Sequence, residues 1–383
     1  MSHPDFLTDP ALTRVWDALP AARVVGGAVR DALTRRPVAD LDLATPDAPE
    51  AVIAALKAAR LKVVPTGLSH GTVTAVVDGR GFEVTTLRRD VETDGRHAVV
   101  AFTTDWQQDA SRRDFTINAM SMTRDGSVFD YFEGRADLAA GRIRFVGDPA
   151  TRIAEDYLRV LRFFRFYARF GRIAPDPCTL GALQAGIPGL GRLSIERVWN
   201  ELRRILAAPD PVEAVGLMER LGIWAAAVPE AQAISRLAGL PTDPVLRLTA
   251  MLTGDPLPLA TRLKMSNDDR DRLVRLVTTP HPGGSDADLR RLLADHEPAD
   301  LIDRTWLDGD ADARRRLSGM PRPVFPLEGR HVVALSVPAG PTVGALLRDV
   351  RQWWLHGGCV ANRTACLTEL ARMANLPNMK GKR

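Results

Sequence analysis

The sequence predicts an α+β protein, with a mixed sheet and helices over residues 1–150 followed by a chain that is almost all helix. Three observations carry this. Between residues 20 and 150, short apolar runs with period-two alternation interchange with helix-like pieces. From Thr151 onward the apolar residues recur at three- and four-residue steps. At 383 residues the chain also exceeds what one hydrophobic core usually organises, so several domains are expected.

Taken in order, "ARVVGG" reads as a strand, a helix starts at about Ala28, and "VADLDLAT" (38–45) reads as a buried strand. A helix "PEAVIAALKAAR" and the strands "KVVPTG", "GTVTAVVDG" and "GFEVTTL" complete the sheet. The polar, glycine-containing "RRDVETDGRHAVVAF" (88–102) reads as a mobile loop. Next comes "TRIAEDYLRVLRFFRFYARFG", predicted as one helix ending at a glycine, and then "SIERVWNELRRILAA", which opens with a serine. Turn-rich breaks at 147–150, 207–211, 278–286 and 320–326 suggest domains at 1–150, 151–210, 211–320 and 321–383. The basic end "NMKGKR" reads as disordered.

Composition sets limits on function. With 45% hydrophobic and 26% charged residues, the chain is neither disordered nor fibrous in character. A net charge of +4 permits a polyanionic partner without demanding one. Three cysteines without a CxxC pair argue for reduced thiols, no zinc site and a cytoplasmic setting. No apolar run approaches the roughly 18 residues of a membrane span, and the N-terminus lacks a secretion signal, so no membrane association is expected. No protein partner is predicted.

The chemistry concentrates in the first half. Side chains in a strand alternate faces, so Asp40 and Asp42 are expected on one face, where they repel unless a divalent cation such as Mg²⁺ lies between them. Ten residues earlier, "VVGGAVRD" brings backbone N–H groups to a helix start, with Arg30 on the first turn. A glycine pair, an arginine and paired carboxylates together describe a nucleotidyl-transfer site, with Glu83 as the candidate third acid. Taken alone, the acid pair also fits a solvated strand face, and "RRDFTINAM" also fits an Asp helix cap.

Five motifs then occur in order: "GGAVRD", "DLDLAT", "HGT" at 70–72, "RRDFTINAM" at 112–120 and "AEDYLRVLRFFRF" at 154–166. They resemble the class II CCA-adding enzymes and bacterial poly(A) polymerases of the DNA polymerase beta superfamily, over most of residues 20–210. "GPTVGALLRDVRQWW" is a weaker echo near the C-terminus. The resemblance implies a nucleotidyltransferase palm, then a helical neck, body and tail. It implies that Gly27 and Arg30 bind triphosphate, that Asp40 and Asp42 hold the two metals, Mg²⁺, of a two-metal nucleotidyl transfer, and that Arg113, Asp114 and Asn118 hold phosphate and ribose. The implied activity is addition of C, C and A to a tRNA 3′ end from CTP and ATP, without a template. A poly(A) polymerase, a partial CC- or A-adding enzyme, and a non-catalytic RNA-binding protein on this scaffold are the alternatives. His70 and His97 are assigned to loop packing or backbone contacts, because metal-assisted phosphoryl chemistry needs no histidine.

Asp156, Arg159, Arg162 and Arg165 fall at steps of three, as expected along one side of a helix, while Phe163, Phe164 and Phe166 turn largely toward the core. Such a stripe also fits a solvated face. Cytosine and adenine both carry an amino donor beside a ring-nitrogen acceptor, so an Asp156 acceptor with Arg159 donors would suit both. Uracil or guanine would set a carbonyl against the carboxylate, at a cost of about 1–3 kcal/mol per unpaired group. The resemblance gives Asp156 and Arg159 this base-reading role, with Arg162 and Arg165 as further contacts to nucleotide or primer. Basic clusters at 261–276 and 313–317 are candidates for holding tRNA, and Trp353 and Trp354 read as core or helix-packing residues rather than stacking platforms.

Overall fold

The computed structural model describes residues 4–38, 40–93 and 98–375. His97 and the tail "NMKGKR" therefore lie outside the described residues. The chain forms two compact units, Met1–Ile234 and Ser235–Arg383.

The first unit opens with α1 (Pro10–Ala18), β1 (Arg23–Val25), α2 (Gly27–Leu33), β2 (Asp42–Thr45) and α3 (Pro49–Ala58). β3 (Lys62–Gly67), β4 (Thr72–Val77) and β5 (Arg80–Thr86) follow. Beyond a two-stranded ribbon of β6 (Arg88–Thr93) and β7 (Ala98–Phe102) come α4 (Trp106–Ser111), β8 (Ser121–Met122), β9 (Val128–Phe129) and α5 (Gly134–Ala140). The seven-stranded sheet runs β3-β4-β5-β2-β1-β8-β9. Only the central β2–β5 pair is parallel.

Alternation makes this sheet one-sided in β4 and β5. Val73, Ala75 and Val77 of β4 and Phe82 and Val84 of β5 are buried against Leu12, Val15 and Trp16 of α1 and Val52 and Leu56 of α3. Burying a Val, Leu or Phe is worth about 1.5–3 kcal/mol, which fixes the register, since a one-residue slip would turn the whole set to solvent.

The ribbon corrects the loop reading of 88–102. It pairs antiparallel from Arg88↔Phe102 to Thr93↔Ala98, with a register shift between Asp90 and Glu92. "HGT" anchors its base: Arg88 donates Nη1 to the His70 carbonyl at 2.6 Å, and a Cβ at Gly71 would stand 2.6 Å from the Phe102 ring.

Helices α6 (Pro149–Glu155), α7 (Leu158–Phe170), α8 (Pro177–Ala185), α9 (Ile187–Leu190), α10 (Ile195–Leu206), α11 (Val212–Arg220) and α12 (Ile223–Ala227) complete the unit. α7 packs on α10 and α11. Phe115, from the "RRDF" turn, enters the aromatic core of α7, with its ring 4.7 Å from Phe145, 6.1 Å from Phe163 and 5.2 Å from Phe166. This insertion ties the sheet domain to the helix that carries the arginine stripe.

The second unit contains α13 (Pro244–Met251), α14 (Pro256–Arg262), α15 (Asn267–Thr278), α16 (Asp286–Asp295), α17 (Pro298–Asp308), α18 (Ala311–Gly319), α19 (Gly329–Val333), α20 (Pro341–His356) and α21 (Arg363–Ala374). Asp9, Asp148, Asp176, Asp243 and Asp255 each cap a helix whose next residue is proline. Asp at N-cap and Pro at N1 each suit a helix start, the cap contributing about 1 kcal/mol.

Trp354 is 2% exposed in the C-terminal core, but Trp353 is 37% exposed, which corrects its reading as a core residue. Adjacent positions on a helix point about 100° apart, so both cannot face one core. The arginines of the two basic clusters are largely matched by acids: Arg272 pairs with Asp243 and Asp303, Arg316 with Asp286 and Asp312, and Arg315 with Asp312. Among the described residues no helix is long and apolar enough to cross a membrane.

Candidate active site

Because β2 and β5 are parallel neighbours, their register sets Asp42 directly opposite Glu83, and matched side chains share a face. Asp40, Asp42 and Glu83 line one cavity of ≈ 450 Å³, together with Arg80. The strand begins at Asp42 rather than Val38, so Asp40 sits in the segment leading into it. This corrects the expectation of two acids on one strand face; they meet at the cavity although strand alternation does not relate them.

Asp42 is open to the cavity, yet protein surrounds it closely enough that lost hydration pushes its pKa up. Glu83 and Asp40 add to that, against the pull of Arg113. Converging carboxylates whose charge is poorly compensated, all hard oxygen donors, fit a divalent cation. Among the described residues no three acid, histidine or cysteine side chains close into a ready-made metal cage.

Gly26, at φ +68°, makes the turn from β1 into α2. Its lack of a side chain also admits Arg113, whose Nη1 lies 3.0 Å from where a Cβ would be. Gly27 begins α2 beside Arg30. Arg113 is held from behind by buried Asp109 at 3.3 Å, which also accepts from Arg112 Nε at 2.9 Å and the Arg88 N–H at 3.3 Å.

Asp114, Asn118, Arg30 and Arg162 form one chain of hydrogen bonds. Asp114 Oδ2 accepts from Arg162 Nε at 2.7 Å and also from its Nη2. Asp114 Oδ1 accepts from the Phe115 N–H at 2.9 Å and Asn118 Nδ2 at 3.1 Å. Asn118 Oδ1 accepts from Arg30 Nη1 at 2.6 Å, and Arg30 gives Nε and Nη2 to Asp31. Burial pushes the Asp114 pKa up, but Arg162, Asn118 and the Phe115 N–H hold it below the usual carboxylate value. The Thr116–Asn118 turn between them is pinned by Asp137, which accepts from Thr116 Oγ1 at 2.7 Å.

The expected single helix through Asp156 is two. α6 ends at Glu155, Asp156 is extended at φ −154°, and α7 starts at Leu158. The break seats the Tyr157 ring on Gly189, where any Cβ would collide with it. Asp156 thus stands before the helix rather than on its arginine face. It accepts from the Leu158 N–H at 3.0 Å and from Arg197 Nη2 at 2.7 Å. Arg159 donates to the Arg152 carbonyl at 2.7 Å and to Glu155, so Asp156 and Arg159 are not paired with each other. Arg165 Nε lies 2.7 Å from Glu201 Oε2. Burial lowers the Arg165 pKa to about 10, as do Arg162 and Arg204, while Glu201 opposes them. Phe163, Phe164 and Phe166 are buried as expected.

Sequence reasoning missed Asp109, Asp137, Arg197 and Glu201. Arg197 and Glu201 share the amphipathic face of α10, but no local spacing assigns them to Asp156 and Arg165, 41 and 36 positions away.

A sheet with converging acids is joined to a helical neck through an arginine–aspartate chain, and comparison with known proteins places that arrangement among the nucleotidyltransferases of the DNA polymerase beta superfamily. Two family models match: the "Poly A polymerase head domain" over residues 22–144, and the "Probable RNA and SrmB- binding site of polymerase A" over 173–234. The chain is 36% identical over 365 residues to mouse "CCA tRNA nucleotidyltransferase 1, mitochondrial", covering 88% of this chain and 83% of that one. It is 29% identical to the Lactobacillus gasseri "CCA-adding enzyme", with 96% of each chain covered. The solved Bacillus stearothermophilus CCA-adding enzyme in complex with CTP superposes with a TM-score of 0.70 at 26% identity, covering 96% of this chain and 98% of that one. The protein belongs to the family of CCA-adding tRNA nucleotidyltransferases. Membership implies a divalent metal ion.

Proposed function

We infer that the protein completes tRNA 3′ ends, adding C, C and A from CTP and ATP without a nucleic-acid template and releasing pyrophosphate. The observation that carries this reading is the likeness to a CCA tRNA nucleotidyltransferase over 88% of the chain, sheet domain and helices together. Asp40 and Asp42 would hold the metal, read here as Mg²⁺. When bound, the ion would activate the attacking hydroxyl and stabilise charge on the leaving pyrophosphate. Glu83 concentrates negative charge at the same cavity. Arg113, held over the Gly26–Gly27 turn by Asp109, would meet the triphosphate.

Arg30, Asn118, Asp114 and Arg162 form a scaffold that fixes the ribose and phosphate contacts relative to α7. Asp156 and Arg159 would read the base after exchanging Arg197 and Glu155 for the nucleotide's edge, with Arg165 supporting the primer side. In this reading the palm spans 1–150, the neck 151–210, and the body (211–320) and tail (321–383) hold tRNA. A cytoplasmic, reducing setting suits the three free cysteines, Cys178, Cys359 and Cys366.

The decisive experiment incubates the protein with tRNA lacking its 3′ terminus and each labelled nucleotide separately and together. Two C additions, then one A, then arrest are expected, and a long A tail would instead select a poly(A) polymerase. Asp156→Ala is expected to weaken discrimination of CTP and ATP against UTP and GTP by about 10- to 100-fold, the worth of one or two kcal/mol-scale polar contacts. The metal acids are untouched by that change. Unchanged discrimination in kcat/KM would remove Asp156 from base reading.

A further inference from the structure

A second concavity, this one basic, lies on the first unit among α2, α7 and α10. Its ≈ 580 Å³ is lined by Arg30, Arg36, Arg165, Arg169 and Arg204, and among the described residues no carboxylate lines it. Three of the five have acids behind them, Asp31 for Arg30 and Glu201 for both Arg165 and, at 3.9 Å, Arg204. Arg36 instead donates to the Arg169 carbonyl at 3.1 Å. Burial and the neighbouring charges of Arg169 and Arg172 lower the Arg36 pKa, with Asp31 opposing them. Five like charges are crowded here against two carboxylates, Asp31 and Glu201, so compensation is partial.

Two aromatic rings do not change that character. The Phe170 ring already carries Arg30, Arg36 and Arg169 guanidinium groups at 4.7, 4.4 and 5.8 Å, and Phe166 carries Arg165 at 4.3 Å and Arg30 at 5.2 Å. Faces used to seat arginines are not free to stack bases, so the cavity presents guanidinium edges, which recognise phosphate.

The cavity is also not a closed pocket for one small anion. A neighbouring concavity of ≈ 600 Å³ shares Arg36 and Pro37 with it and continues past Arg35 to Val38. Val38 precedes Asp40, which lines the acid cavity, by two residues, so at most about 7 Å of chain separates them. The result is an elongated track, basic at Arg204, Arg169, Arg36 and Arg35 and carrying one acid, Asp5; its Val38 end lies two residues along the chain from Asp40.

We propose that this track is an RNA-strand site: Arg36, Arg169 and Arg204 hold backbone phosphates of the substrate's 3′ strand and lead its terminus to the acid cavity. The inference rests on the tRNA-completing reading above. It also assigns strand holding to the first unit, whereas the arginines of the helical clusters in the second unit are largely matched by acids.

The test is the Arg169→Ala, Arg204→Ala double variant, two exposed helix positions where alanine suits the backbone. With tRNA lacking CCA, KM for tRNA is expected to rise about tenfold, and the slope of log affinity against log salt to flatten by about 0.7 for each phosphate no longer neutralised. KM for CTP is expected to stay within about twofold, and Lys at both positions to restore most of the tRNA affinity. Unchanged tRNA KM and salt slope, in a wild-type protein that does add C, C and A, would overturn this inference alone. So would a raised KM for CTP together with weakened inhibition by inorganic tripolyphosphate, which would give the cavity to the nucleotide. A wild type that adds nothing to tRNA would overturn the tRNA reading, and this inference with it.

Discussion

Asp42→Asn is expected to lower single-turnover nucleotide addition by at least about 10³-fold, some 4 kcal/mol of transition-state stabilisation, while leaving tRNA affinity nearly unchanged. The amide keeps the shape but not the charge that a divalent ion requires. The same substitution is expected to preserve or raise thermal stability in metal-free buffer. Burial, Glu83 and Asp40 hold the Asp42 pKa above its ordinary value. A carboxyl whose folded pKa exceeds its unfolded one subtracts stability once pH rises through that range, so neutral pH is where the wild type bears the cost. Added Mg²⁺ should reverse the order, raising the wild-type midpoint through binding to the native state and leaving the variant nearly still. Thermal unfolding with Mg²⁺ and with a chelator, beside a quench-flow assay, checks both halves. A variant that keeps its turnover, or that Mg²⁺ stabilises as strongly as wild type, would remove Asp42 from the metal site.

This trade of stability for function was partly legible in the sequence. The alternation of β4 and β5 and the glycine pair before α2 are local signals, and they put Glu83 on a strand and Arg30 on the first turn of its helix, while the pairing of Glu83 with Asp42 is a register the structure supplies. The β6–β7 ribbon was not legible. It is a two-stranded ribbon outside the main sheet, rich in charge, so the period-two contrast that reveals a one-sided strand is weak there. The helix break at Asp156 was hidden for another reason. Its cause is a seat for Tyr157 on Gly189, 32 residues later, and helical periodicity on either side runs through the break undisturbed. The partners Arg197 and Glu201 follow the same rule: what holds an active-site charge in place is set by tertiary packing, and single-sequence spacing reports only near neighbours.

Asp114→Ala tests the scaffold that packing builds. Removing one member of a fully buried ion pair costs about 3–5 kcal/mol, and here about 2–4 kcal/mol is expected because the Arg162 side chain keeps 33% of its surface in solvent. The loss propagates, since Asp114 accepts from both Arg162 and Asn118 Nδ2, and Asn118 in turn holds Arg30. On the proposed roles, KM for CTP and ATP should therefore rise together, in contrast to the selective effect proposed for Asp156→Ala, because the contacts proposed for sugar and phosphate would loosen while those proposed for the base would remain. The stability loss has a pH signature. With its folded pKa depressed, Asp114 contributes stability that is fully present above its unfolded value near 3.9 and is lost as pH falls through the lower folded pKa. Urea unfolding at pH 7 should show the full difference between wild type and variant, and at pH 3 a smaller one. Equal differences at both pH values would mean that cavity formation, rather than the Arg162 charge pair, accounts for the loss. An Arg162→Met partner variant completes the cycle: if the carboxylate and guanidinium act as a unit, the double variant should be less destabilised than the sum of the singles.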